Sequence, residues 1–219
     1  MSGELTPKRV LIFGGEESPY HDFSIQGPLL ARLATAAGFE PEVTTDPAAF
    51  EPARIEPFHV IAILASEGSL APEHEQALLN AVIGSPWGDT GAPKGLLGIH
   101  GATVVTSASG AYQRMLGARF LAHPPLGPFS VTVEAAGHPV MRGVADFSTS
   151  DELYLMEELA PFDVLLSAEL DGFRRPLAWV RPYGLGRVCY CALGHGTEQL
   201  EHESVQRILR NALDWLCPR

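Results

Sequence analysis

Compact apolar runs alternate along the chain with stretches whose apolar positions recur at helical spacing. Arg9-Val10-Leu11-Ile12-Phe13, closed by Gly14-Gly15, reads as a buried first strand. Ile25, Leu29, Leu30 and Leu33 then fall three and four residues apart, which predicts a helix from Phe23 to Ala37 with Gly38 as its stop. Gly27-Pro28 disturbs the start of that pattern, so the regular part is expected to begin at Pro28. Glu40 to Thr44 reads as a short second strand and Val60-Ile61-Ala62-Ile63-Leu64 as a third. A helix follows from Pro72 to Ile83, with Leu78, Leu79 and Val82 on one face. The turn formers of Ser85 to Lys94 make a loop, and Leu96-Leu97-Gly98-Ile99 is the fourth strand.

The second half is richer in strand patterns. They run from Phe129 to Glu134, Glu152 to Met156, Val164 to Glu169, Leu177 to Val180 and Arg187 to Ala192. Val205, Ile208, Leu209, Leu213 and Leu216 then mark a closing amphipathic helix from Glu203 to Leu216. Alternating strand and helix predict an α/β fold: a mostly parallel central sheet, helices on both faces, and extra strands in the C-terminal half. No repeat, low-complexity tract or linker divides the chain, so residues 1–219 read as a single domain.

Three histidines stand where apolar runs give way to glycine or to a loop: His21 in Tyr20-His21-Asp22, His100 in Gly98-Ile99-His100-Gly101, and His195 in Gly194-His195-Gly196. In an open α/β sheet the carboxyl ends of the strands form one rim, where ligands bind. Distant segments are therefore expected to bring three imidazoles to one place, as catalytic groups or metal ligands. Asp22 has a second reading as the cap of the following helix.

Glu152 and Tyr154 would share one face of an extended segment, with Asp151 and Leu153 on the other. His100, His195 and Glu152 are the candidate catalytic residues. His21, Tyr154, His123, Arg187 and Trp87 are the candidate substrate contacts. Trp87 enters as a stacking surface on the proline-glycine loop, His123 as a residue following an aromatic-rich helix end, and Arg187 as a guanidinium for a carboxylate or sugar oxygen. His138 reads as structural, and His59, His74 and His202 as solvated.

Charge narrows the partners. With 26 acidic against 15 basic residues the net charge is −11, which argues against nucleic acid or an anionic membrane as partner. No apolar stretch is long enough for a membrane span or resembles a signal peptide, so a cytoplasmic location is expected. Cys189, Cys191 and Cys217 are badly placed for disulfides and read as reduced, buried thiols. Self-association is compatible with such a domain, although no interface signal appears.

Seven segments in this order resemble the trehalose-utilisation (ThuA-like) family. They are the first strand with Tyr20-His21-Asp22, Gly95 to Ala102 (GLLGIHGA), Phe120 to Pro124 (FLAHP), His138-Pro139-Val140, Asp151 to Tyr154 (DELY), Tyr183 to Arg187 (YGLGR) and Leu193-Gly194-His195. The resemblance spans roughly Lys8 to Leu216. It implies a flavodoxin-like fold of the class I glutamine amidotransferase-like superfamily and a role in sugar metabolism, with trehalose or an oxidised glycoside as substrate class. That superfamily's amidotransferases carry a nucleophilic cysteine at the turn after a central strand. Here the corresponding turn holds His100, so thiol-based glutamine hydrolysis is not expected.

Two functions remain open. One is an enzyme performing acid–base or metal-assisted isomerisation, elimination or hydrolysis on a small keto-sugar or glycoside. The other is a non-catalytic sugar-binding or regulatory module that keeps the pocket. His21, His100, His195 and Glu152 are ligand types that zinc or a similar divalent ion takes, but no close-spaced His-x-x-x-His pair signals a metal.

Overall fold

The apolar runs at the start of the chain stack side by side as parallel strands. The structure, a computed structural model, describes residues 7–15, 18, 20–65, 68–85 and 91–217. The chain opens with β1 (Lys8–Phe13), α1 (Phe23–Ala36), β2 (Phe39–Thr44), α2 (Pro52–Ile55), β3 (Val60–Ile63), β4 (Ser69–Leu70), α3 (Pro72–Ile83) and β5 (Gly95–Ile99). Its middle holds β6 (Thr106–Ser107), α4 (Ala111–Leu116), β7 (Ala118–Ala122), β8 (Gly127–Val133), β9 (Phe147–Asp151) and β10 (Leu155–Glu158). It closes with β11 (Asp163–Leu170), β12 (Phe173–Tyr183), β13 (Gly186–Cys191), α5 (Thr197–Glu201) and α6 (Glu203–Leu216).

Nine strands form the main sheet in the order β2-β1-β3-β5-β13-β12-β11-β8-β9. The four pairings from β2 to β13 are parallel and the four from β13 to β9 antiparallel. The expected mostly parallel sheet is therefore corrected to a half-parallel, half-antiparallel one. The reason is connection length. A parallel neighbour needs a crossover of about a dozen residues or more, whereas two tight turns join β11, β12 and β13. Asp171 (φ +53°) and Gly172 (φ +76°) form the first, with both central residues left-handed as a type I′ hairpin requires.

Burial explains which segments sit centrally. Val10, Leu11, Ile61, Leu96, Val188 and Tyr190 are inaccessible, as strands covered on both faces must be. α1, α5 and α6 pack together, as do α3 and α4. Along α6 the buried positions are Val205, Ile208, Leu209, Ala212, Leu213 and Leu216, the stripe that its pattern predicts.

Two local expectations change. α1 begins at Phe23 with Pro28 inside it, because the Asp22 side chain accepts the Ser24 N–H and starts the helix five residues early. The strand expected from Glu152 to Met156 is broken: β9 ends at Asp151, β10 starts at Leu155, and 152–154 belong to neither. Asp151 accepts its neighbour's N–H, Glu152 N to Oδ1 at 2.8 Å, which draws that amide out of ladder pairing.

No helix among the described residues is long and apolar enough to cross a membrane.

Candidate functional site

β5 delivers His100 with its backbone turned into the left-handed region at φ +43°, a strained state for a residue with a Cβ. Two buried contacts hold it there. Tyr190 donates its hydroxyl to the His100 carbonyl at 2.6 Å, and His100 Nδ1 lies 2.8 Å from the Ala192 carbonyl. Because a carbonyl can only accept, Nδ1 carries a proton and in the neutral ring Nε2 keeps its lone pair. Gly98 makes room beneath: a Cβ there would meet the Tyr190 ring at 2.9 Å and Leu116 at 3.0 Å.

His100 Nε2 is the hub of the cluster. It lies 2.9 Å from the Tyr154 hydroxyl, 3.3 Å from His195 Nδ1 and 3.4 Å from Glu152 Oε2. His195 Nδ1 lies in turn 3.1 Å from Glu152 Oε2 and 3.1 Å from His21 Nε2. On the outer side, Glu152 Oε1 is 3.5 Å from His123 Nε2.

Distant elements place these groups. His195 sits beyond the end of β13, on a loop turned by Gly194 at φ +119°. Asp151 ties that loop to the end of β9, accepting the Gly194 N–H at 2.8 Å and the His195 N–H at 3.4 Å. Gln26 on α1 donates to the His195 carbonyl at 2.8 Å, and Gln199 closes the loop by accepting the Gly196 N–H at 3.1 Å.

Burial sets the charge states. It lowers the His21 pKa to about 4, helped by His100 and His195 nearby, so this imidazole is neutral at pH 7. His195 is also lowered, chiefly by burial and against the pull of Glu152. Burial alone would raise Glu152, but the surrounding imidazoles of His100, His195 and His123 outweigh it and keep the carboxylate ionised. Tyr154 is raised by burial and by the Glu152 and Asp151 charges, so it stays a protonated donor.

A family model described as trehalose utilisation, ThuA, matches residues 9–216. The chain belongs to the ThuA family. That description associates it with carbohydrate metabolism. The fold is similar to that of a ThuA-like protein of Bacteroides uniformis ATCC 8492 (TM-score 0.77, 21% identity, 95% of this chain and 91% of that one). It is also similar to one of Parabacteroides merdae ATCC 43184 (TM-score 0.79, 17% identity, 96% and 90%). A β-galactosidase of Rahnella sp. R3 contains a similar fold (TM-score 0.67, 13% identity, 97% of this chain but 32% of the enzyme). No curated protein matches the sequence.

Of the residues singled out from the ThuA sequence, His21, His100, Glu152, His195, Tyr154 and His123 come together. Arg187 does not: it sits at the amino end of β13, donates to the Trp215 carbonyl at 3.0 Å and lies over the Trp215 ring. Trp87 lies outside the described residues. His123 follows strand β7, not a helix end. His59 and His202 are partnered: each accepts a backbone N–H on Nδ1, from Arg9 and Ser204 respectively. Cys189, Cys191 and Cys217 are free and buried, and burial pushes the Cys191 thiol up to about 12.

Sequence reasoning missed the supporting residues Asp151, Gln26, Gln199 and Tyr190. Gln26 left a signal, a polar residue in step with Leu29, Leu30 and Leu33 on the buried face of α1. A cavity of about 490 Å³ lies apart from the cluster and is lined by Phe13, Thr45, Leu70, His74 and Val105, among others.

Proposed function

We propose that this ThuA-family protein is an enzyme that moves a proton at the carbon beside a carbonyl in a small sugar, such as an oxidised glycoside of the trehalose type. The observation that supports this reading is the meeting of neutral imidazoles and one ionised carboxylate, drawn from distant segments, at the carboxyl end of the parallel strands.

A keto group acidifies the neighbouring C–H, so an imidazole or a carboxylate suffices as base. Glu152 and His195 are the candidate bases. The base takes the proton and the electron pair moves into an enolate. Tyr154, uncharged and aimed at the cluster, supplies a proton to the oxygen or to the adjacent carbon. Reprotonation at a new carbon isomerises the sugar; expulsion of a glycosidic oxygen one carbon further eliminates it.

Ordinary glycoside hydrolysis fits less well, because it needs two facing carboxyl groups. Asp151, the carboxylate beside Glu152, is 1% exposed and spends both oxygens on backbone N–H groups.

The test is deuterium exchange from heavy water, followed by NMR, into a panel of keto-disaccharides and their unoxidised parents. Exchange beside the carbonyl, abolished in Glu152→Gln and His195→Ala while binding persists, supports the enzyme. Binding without exchange or turnover favours the sugar-binding module. Failure to bind any sugar overturns the carbohydrate assignment.

A further inference from the structure

We infer that the cluster is a divalent transition-metal site, for zinc or a similar ion, with Nε2 of His21, Nε2 of His100, Nδ1 of His195 and Oε2 of Glu152 as its ligands. The inference concerns the occupant of these side chains and rests on their geometry, not on the reaction proposed above.

The first argument is the count of protons and lone pairs. With Nδ1 directed at the Ala192 carbonyl, a neutral His100 ring would present its Nε2 lone pair both to the Tyr154 hydroxyl at 2.9 Å and to Glu152 Oε2, an acceptor, at 3.4 Å. His195 Nδ1 can hold one proton at most, yet it lies among His21 Nε2, Glu152 Oε2 and His100 Nε2 at 3.1, 3.1 and 3.3 Å. A proton on His195 Nδ1 satisfies one neighbour; a proton on His21 Nε2 instead satisfies the His21 contact and leaves Glu152 Oε2 facing a lone pair at 3.1 Å. The carboxylate draws no compensation from lysine or arginine either, since its ion-pair partners among the described residues are all imidazoles.

The second argument is distance. One candidate ligand atom from each of the four residues lies within 4.8 Å of every other. Zinc bonds of about 2.0–2.1 Å set neighbouring ligand atoms of a tetrahedron about 3.3 Å apart, and an octahedral ion sets them slightly closer. Four of the six pairwise separations, at 3.1–3.4 Å, fall in that range, and the other two, from His21 to His100 and to Glu152, lie within 4.8 Å.

Outer partners are present for two of the four ligands. Metal-bound histidines ordinarily donate the remaining ring N–H to a carbonyl or carboxylate. His100 does so to Ala192, and Glu152 turns its second oxygen to His123. His21 Nδ1 is buried without a partner, as is Gln26 Oε1.

Cobalt(II) titration of the metal-stripped full chain tests this inference. The expected result is one equivalent bound, with visible d–d absorption, and displacement by zinc. His195→Ala and the nearly isosteric Glu152→Gln should each weaken binding, by roughly 100-fold for the histidine, while His74→Ala, outside the cluster, leaves it unchanged. Near-ultraviolet circular dichroism verifies that the variants are folded. Binding of less than one equivalent, no d–d band, or an undiminished band in folded His195→Ala overturns the site. A metal-loaded protein inert toward every sugar would sink the proposed reaction and leave the metal site standing. Sugar exchange by protein that binds no metal would do the reverse.

Discussion

Asp151 accepts the Gly194 N–H at 2.8 Å, which ties the strand end bearing Glu152 to the loop bearing His195. Both oxygens are used, because Oδ1 also accepts the N–H groups of Glu152 and His195. The site's acid and one of its imidazoles are thus positioned by a single carboxylate through their backbone N–H groups. Burial pushes this carboxyl above the usual range, against the influence of His100 and the N–H donors.

Asp151→Asn therefore replaces an acceptor with an NH2 facing backbone N–H groups. Stability should fall by about 1–3 kcal/mol, the cost of leaving buried donors unpaired. Metal affinity should fall by roughly 10–100-fold, as for other residues that orient ligands. Urea denaturation and cobalt titration measure the two effects separately.

Tyr154→Phe removes the hydroxyl 2.9 Å from His100 Nε2 without removing the ring packed on Phe120. Proton exchange into the keto-sugar should drop by roughly 100-fold, the scale of losing a positioned acid. Cobalt binding should stay within a few-fold of the parent. Equal exchange rates in the two proteins would remove Tyr154 from the proton path.

Gly98→Ala places a methyl 2.9 Å from Tyr190 Cδ2 and 3.0 Å from Leu116 Cδ2. The Tyr190 ring must shift away from the His100 carbonyl that it supports. The expected cost is about 1–3 kcal/mol of stability. The urea midpoint reports it, with a parallel loss of exchange activity.

Glu75 is buried at the first turn of α3 and accepts from the Ser109 hydroxyl and the Tyr112 N–H, each at 2.9 Å. Burial alone would raise its pKa, but the hydrogen bonds from Ser107, Tyr112 and Ser109 outweigh it and hold the value below 4.5. A lowered acid pKa contributes stability above the unfolded value that disappears as pH falls through the folded one. Glu75→Gln should thus cost about 1–2 kcal/mol at pH 7. Urea midpoints of parent and variant should converge as the pH falls through the lowered folded-state pKa, where the native carboxylate also takes up a proton.

Much of the architecture was legible in the chain because burial on two faces leaves an unbroken apolar signature. β1, β3 and β5 announce themselves in this way, and α6 does so through its one-sided stripe. The Asp171-Gly172 hairpin signal was also present, and reading it would have turned the last strands antiparallel. β7 and β9 were not legible: their patterns, such as Phe147-Ser148-Thr149-Ser150-Asp151, carry too few apolar positions to stand out from loop.

The histidines at strand ends pointed to one rim by topology alone, since strand polarity and strand order decide which ends share an edge. Their meeting at 3.1–3.4 Å was decided by the tertiary structure. So was the exclusion of Arg187, whose place at the amino end of β13 puts it against Trp215. Local pattern records whether a side chain faces core or water. Which distant side chains face each other depends on contacts such as Asp151 to Gly194, between residues 43 positions apart, and no periodicity encodes those.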